Sequence, residues 1–151
     1  FASLLDFSRG STFFRLELWH SSLTMIREHV LVGIGPGNFQ QAYQSRYVLP
    51  SAWAEPDLSH PHNILLDHWT RLGLLGLAGG VMIQIGFWRT LLRIHKAQTR
   101  AHMTSFAVIG LAGSMAILLA HGLVDNTLFA PDLALAFYLM LAVLLDVKAH
   151  E

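Results

Sequence analysis

The 151-residue chain contains no cysteine. It therefore holds no disulfide, no thiolate nucleophile and no thiolate metal site, and cysteine usage leaves its compartment open. Charge is scarce too. Only 13% of residues are Asp, Glu, Lys or Arg, against about 25% in ordinary soluble domains. The formal net charge is zero, which argues against a general nucleic-acid binder, a class that needs a basic surface. The glycines at 33, 35 and 37 lack the G-x-G-x-x-G spacing and no βαβ pattern surrounds them, which argues against a dinucleotide loop. No internal repeat, low-complexity tract or signal peptide is visible. The chain opens on Phe1 rather than Met, and it reads as a fragment of a longer polytopic protein.

What is abundant is apolar. Hydrophobic residues make up 53% of the chain and mean hydropathy is +0.44. Three apolar segments fill the second half, at about 72–88 (extending toward 94), 104–123 and 127–145. Each approaches the ~20 residues that cross a hydrocarbon core about 30 Å thick. Gly79, Gly80, Gly110, Gly113 and Ser114 are small residues suited to close helix packing in lipid. A soluble three-helix bundle is the competing reading, but its helices should show a polar face and these barely do. The connector 89–102 carries Arg89, Arg93, Lys96 and Arg100 and no acid, whereas 122–131 carries no base. Short basic loops stay cytoplasmic, so residues 1–71 are expected outside the cytoplasm. The expected fold is all-α: an extracytoplasmic helical region over 1–71, then a three-span bundle over 72–151.

The outer region reads as helix, turn, helix, loop, helix. Ser11 or Thr12 should cap a helix running to about residue 27, with Arg15, Trp19, Ser22 and Ile26 on one face. Gly33, Gly35, Pro36 and Gly37 force a turn. Asn38 should cap a second helix to about residue 48, and the prolines at 50, 56 and 61 make the next stretch irregular. A third helix should begin near His62 or Asn63 and run into the first span, with Gly73 and Gly76 near the interface.

That last stretch, H-P-H-N-I-L-L-D-H-W-T-R-L-G-L-L-G at 60–76, places imidazoles at the mouth of an apolar segment. Histidine is the side chain best suited to proton transfer near neutral pH. His62 reads either as a helix cap or backbone-bonding residue, or as a catalytic or substrate-binding one, and local sequence leaves both open. His60, His62, His68 and Asp67 could ligate a metal, but His62 and His68 are six apart and fall on different helical faces. Arg15, among Phe13, Phe14 and Trp19, is either an arginine snorkelling to headgroups or a bidentate anion clamp. Arg46 and Arg71 are weaker candidates of the same kind. The glycine turn is structural and can also present backbone N–H groups to an anion. His121 and Asp125, four apart, are expected to pair on one helical face at the outer end of the second span. Trp19, Tyr43, Tyr47 and Trp53 either stack on sugar rings or pack the core.

Together, Arg15-x-x-x-Trp19, V-G-I-G-P-G-N-F at 32–39, H-P-H-N-x9-G-L-L-G at 60–76 and H-G-L-V-D at 121–125 resemble the C-terminal half of the O-antigen ligase and O-antigen polymerase family of bacterial membrane glycosyltransferases. The resemblance implies an inverting transfer that uses neither metal nor cofactor. A glycan would pass from an undecaprenyl-diphosphate donor to a hydroxyl acceptor on a glycan, lipid or protein, at the outer face of the bacterial cytoplasmic membrane. It maps the essential histidine onto His62 and the diphosphate-binding arginine onto Arg15. Asn63, Arg46, Gly35 and Gly37 join the substrate-binding set, and His121 and Asp125 are orienting residues. Family members carry about a dozen spans, so a three-span fragment is not expected to be active alone. A transporter component, or a non-catalytic glycan-binding membrane protein, are the rival readings. The first would need polar groups along the spans, where few are found. The second has no need of Arg15 and His62 together.

Overall fold

The computed structural model describes residues 10–100, 106–125 and 128–149. Every regular element among them is helical. Helix α1 spans Ser11–Glu28. A short helix α2, Phe39–Ala42, passes directly into a π-helical turn, Tyr43–Tyr47, and a 3₁₀ turn follows at Pro50–Ala52. Helix α3 runs over Ile64–Arg100, α4 over Phe106–Gly122 and α5 over Pro131–Ala149. Contacts divide the chain between Leu77 and Ala78 into two compact units.

In the first unit, α1 buries Leu18, Ser21, Ser22, Met25 and Ile26, the i, i+3, i+4, i+7, i+8 stripe of a helix with one face inward. Leu18 and Met25 pack with Phe39, Tyr43 and Tyr47. The two serines fit that face because their hydroxyls have acceptors: Ser21 Oγ donates to the Tyr47 carbonyl at 2.6 Å and Ser22 Oγ to Leu18 at 2.8 Å. Two expected caps are replaced. Ser11 is the first helical residue of α1, and the N-cap position falls to Gly10, which has no side chain to offer. Asn38 does not cap α2 with its side chain. Its Nδ2 turns back to the Ile34 carbonyl at 2.8 Å and closes the glycine turn instead.

The decisive feature is a break in α3. Gly73 has φ 68° and ψ −171°, a conformation essentially confined to glycine. A continuous helix would bond Leu74 N–H to Thr70 and Leu75 N–H to Arg71. Instead the loop after α1 inserts at the break. Ile34 and Gly35 N–H donate to the Thr70 and Arg71 carbonyls, both at 2.9 Å, while Leu74 and Leu75 N–H donate to Val30 (2.8 Å) and Leu31 (3.3 Å). Two helical bonds are thus exchanged for four between segments. The crossing is too close for side chains. A Cβ on Gly33, itself at φ 68°, would lie 2.5 Å from Arg71 backbone atoms, and one on Gly73 would strike the Leu31 backbone. The break also folds Leu72 over Gly76, where an added Cβ would meet its side chain. The G-x-x-G spacing therefore has a steric cause.

In the second unit, Phe87, Leu91 and Ile94 of α3 meet Val108, Leu111, Met115 and Leu118 of α4 and Phe137 and Leu144 of α5. The α4 positions follow the three-and-four spacing of a coiled-coil seam. Outward-facing residues such as Ile117, Leu135 and Leu139 are also apolar and exposed. At Gly79, Gly110 and Gly113 an added Cβ meets nothing within 4 Å, so these faces have room for a close neighbour. Ile64–Thr99 is long and apolar enough to cross a membrane, and Phe106–Gly122 is a shorter apolar helix. Helix α5 includes Asp132, Asp146 and Lys148 and begins at Pro131, four residues later than the expected third span. Residues 126–127 of the base-free stretch 122–131, with 127 the expected start of that span, and residues 101–105, at the end of the basic connector and the start of the expected second span, lie outside the described residues.

Gly73→Ala should lower the unfolding midpoint of the full-length protein in detergent sharply. Forcing a non-glycine residue into this region costs about 1–3 kcal/mol, and the collision with Leu31 adds to it. Gly79→Ala, with open space at its Cβ, should match wild type. Equal midpoints for the two variants would mean that the crossing does not hold the fold.

Candidate active site

The crossing fixes the far end of the α3 segment that precedes Gly73, and a second set of bonds fixes its near end. Asn63 is the N-cap: its Oδ1 accepts from the Leu65 and Leu66 N–H groups, each at 3.1 Å, and its carbonyl accepts from Asp67 N–H at 2.8 Å. Capping thus belongs to Asn63, and His62 stands just before the cap. His62 has φ 51°, the one described non-glycine residue with positive φ. That region is sparsely used by residues with a Cβ, and such outliers persist where surrounding structure over-determines them.

The surrounding structure does so here. Trp19 Nε1 donates to the carbonyl of Pro61 at 2.8 Å, and Pro61 is fully buried. Arg71 Nη2 donates to the Ser59 carbonyl at 2.7 Å. The imidazoles of His60 and His62 lie 4.2 Å apart, centroid to centroid, at a 53° tilt. The backbone carrying His62 is therefore tied to α1 through Trp19 and to α3 through Arg71 and Asn63. Arg15 lies on α1 one turn before Trp19 and is half-buried. One turn of helix is about 5.4 Å, so Arg15 shares the α1 face that meets the residue before His62 through Trp19.

Arg71, weighed from sequence as an anion clamp, is committed to the protein. Its Nε meets Asp67 Oδ1 at 2.6 Å, its Nη1 donates to the Pro36 carbonyl, and its guanidinium lies over the Phe39 ring at 5.4 Å. One buried guanidinium thus joins the glycine turn, the 59–61 loop and α3, a task suited to a planar fork of five donors. Asp67 is its buried partner, and His68 Nδ1 bonds the Ile64 carbonyl at 2.9 Å.

The remaining residues fall elsewhere. The N–H groups of Gly33, Ile34 and Gly35 are spent on His29, Thr70 and Arg71. Arg46 pairs with Glu28 at 2.9 Å, and Tyr47 OH donates to the same carboxylate at 2.5 Å. Burial, and then this hydrogen bond to Glu28, push the Tyr47 phenol above its usual pKa, while Arg46 acts the other way. Arg46 and Tyr47 line a pocket of about 390 Å³ with His29, Asn38, Gln41 and Ser45. None of Arg15, His62 and Asn63 lines it. His121 and Asp125 do not share a helical face, because α4 ends at Gly122. A backbone bond joins them, Asp125 N–H to the His121 carbonyl at 3.0 Å. Sequence reasoning placed Trp19 with Arg15 but missed its partner. The available signal was that a half-buried indole N–H requires an acceptor.

A family model described as O-antigen ligase matches residues 2–81, more than half of the chain. The chain belongs to that family of membrane enzymes. The matched region contains Arg15, Trp19, the glycine turn, His62, Asn63, Gly73 and Gly76, and excludes His121 and Asp125. No curated protein and no solved structure matches the chain.

Arg71→Ala should destabilise the first unit by about 3–5 kcal/mol, the usual result of leaving one partner of a buried ion pair alone. Arg71→Lys should fall between Ala and wild type, because an ammonium cannot reproduce three divergent bonds. Chemical denaturation of the intact protein checks this, and a wild-type curve for Arg71→Ala would return the residue to the anion-clamp reading.

Proposed function

We propose that this chain forms the acceptor-activating part of a membrane glycosyltransferase that moves a glycan from an undecaprenyl-diphosphate donor to a hydroxyl. The observation that best supports this reading is the Trp19–Pro61 bond. It ties the α1 face that carries Arg15 to the residue before His62, in a chain of the O-antigen ligase family.

In the proposed reaction the acceptor oxygen attacks the anomeric carbon, with inversion, as the bond from that carbon to the diphosphate oxygen breaks. The hydroxyl proton passes to the His62 imidazole, a group able to accept it near neutral pH. Negative charge gathers on the departing diphosphate, and Arg15 stabilises it through a bidentate contact. A fixed backbone under His62 serves this chemistry, because proton transfer needs heavy atoms within about 2.6–3.2 Å. Neither metal nor cofactor takes part. Gly37, Arg46 and Asn63 remain proposed contacts to donor or acceptor. Residues 1–71 lie outside the bacterial cytoplasmic membrane, and the basic connector after α3 lies inside. In this reading the apolar helices are spans and His121 and Asp125 help orient the outer segment. Acceptor classes are another glycan, a lipid or a protein side chain.

His62→Asn separates backbone from chemistry, since Asn tolerates positive φ yet cannot accept the proton. In the full-length enzyme, glycan transfer should fall by about 10²–10⁴-fold while folding and donor binding persist. Arg15→Lys should lose most transfer through weakened donor binding, and a chelator should change nothing. Near-wild-type turnover in folded His62→Asn would sink the base assignment.

A further inference from the structure

The loop that inserts at the α3 break presents three consecutive apolar side chains to the outside. Val30, Leu31 and Val32 are all exposed, Leu31 and Val32 by 60% and 68%. They adjoin Leu74 and Leu75, themselves exposed, because those residues hold the loop through Leu74 N–H to Val30 and Leu75 N–H to Leu31. A run of exposed apolar residues in an irregular loop calls for a covering partner. We propose that this Val30–Leu31–Val32 loop is a wedge that seats in the acyl–headgroup boundary of the bilayer, beside the helix that starts at Leu74.

Three features favour lipid as the occupant. The patch is continuous with a helix long and apolar enough to cross a membrane, and its neighbours Leu74 and Leu75 are the first residues of that helix past the break. Part of the loop's backbone is also already bonded within the protein. Its Val30 and Leu31 carbonyls accept from α3, and internal bonding of irregular backbone is what a position near hydrocarbon demands, while the groups left over suit the hydrated acyl–headgroup boundary rather than the hydrocarbon core. Finally, Trp69 Nε1 donates to the same Val30 carbonyl at 3.3 Å, placing an indole at the level of the loop, and tryptophan is enriched at membrane–water interfaces. The wedge would set the depth at which the glycine crossing, and with it the outer α3 segment, sits against the membrane. The inference rests on the membrane reading of α3 and not on the transfer chemistry.

The test uses the full-length protein in phospholipid vesicles without donor, carrying a single environment-sensitive fluorophore on Leu31→Cys, Val32→Cys, Met82→Cys or Glu55→Cys. Phospholipid spin-labelled near the top of its acyl chain reports contact with lipid, and iodide reports contact with water. Labels at 31 and 32 should lose most of their emission to the spin-labelled lipid and little to iodide, as a shallow insertion requires. The label at 55 should show the reverse. If 31 and 32 behave like 55 while 82 is quenched by lipid, the wedge is wrong and the membrane reading of α3 stands. If neither quencher reaches 31 and 32, a protein segment covers the loop and the wedge is equally wrong. Failure of lipid quenching at 82 would overturn the membrane reading and the wedge with it.

Discussion

The four backbone bonds between 30–35 and 70–75 are the constraint on which the rest of the first unit depends. A helix interrupted in its interior leaves donors and acceptors that must be paired, since an unpaired buried backbone group costs about 1–3 kcal/mol. The inserted loop pairs them, and is itself given a fixed path by doing so. That path positions Pro36 to receive Arg71 and Ile34 to receive Asn38. It also requires Gly33 and Gly73 at the point of contact, where the backbones approach too closely for any side chain. The glycine turn and the G-x-x-G element, forty residues apart in sequence, are two halves of one joint.

The His62 loop draws its rigidity from the same joint at one remove. Arg71 touches Pro36 of the turn and Ser59 of the loop, so a shift at the crossing is carried to the backbone ahead of His60. Trp19 holds the opposite side and Asn63 fixes the helix start. Each bond alone is modest, about 0.5–1.5 kcal/mol for neutral partners. Their value is positional: several independent ties allow a histidine to stay at positive φ without a glycine's freedom.

Much of this was legible in the chain, and the limits have physical causes. Helix type, the turn at 33–37 and a third helix starting at residue 62 or 63 follow from apolar spacing and glycine chemistry. Membership of the O-antigen ligase family was legible from the same residues. Hidden were the exchanges of partners between distant segments. Asn38 has the sequence context of a cap, yet a closer acceptor at Ile34 wins its side chain. Arg71 and Arg15 look alike in sequence, and only the approach of Pro36 and Ser59 commits Arg71 to structure. His121 and Asp125 have helical spacing, but α4 stops at Gly122 between them. Local pattern reports what a residue can do, while the nearest unsatisfied group decides what it does.

The break in α3 also explains why polar chemistry and an apolar helix can share one element. Before Gly73 the helix buries Asp67, Thr70 and Arg71 within the first unit; after it, the sequence is almost wholly apolar up to Arg89. An unbroken helix would keep one continuous set of faces across this change. At the break the direction of the side chains is reset, and the new helical start finds its first acceptors in Val30 and Leu31 rather than in water. Two of the four N–H groups that a helix start ordinarily leaves open are thereby satisfied within the protein. Placing the glycine there therefore serves two demands at once. It frees the segment before Gly73 to be shaped by buried polar contacts, and it gives the apolar segment after it two N–H groups already bonded, those of Leu74 and Leu75.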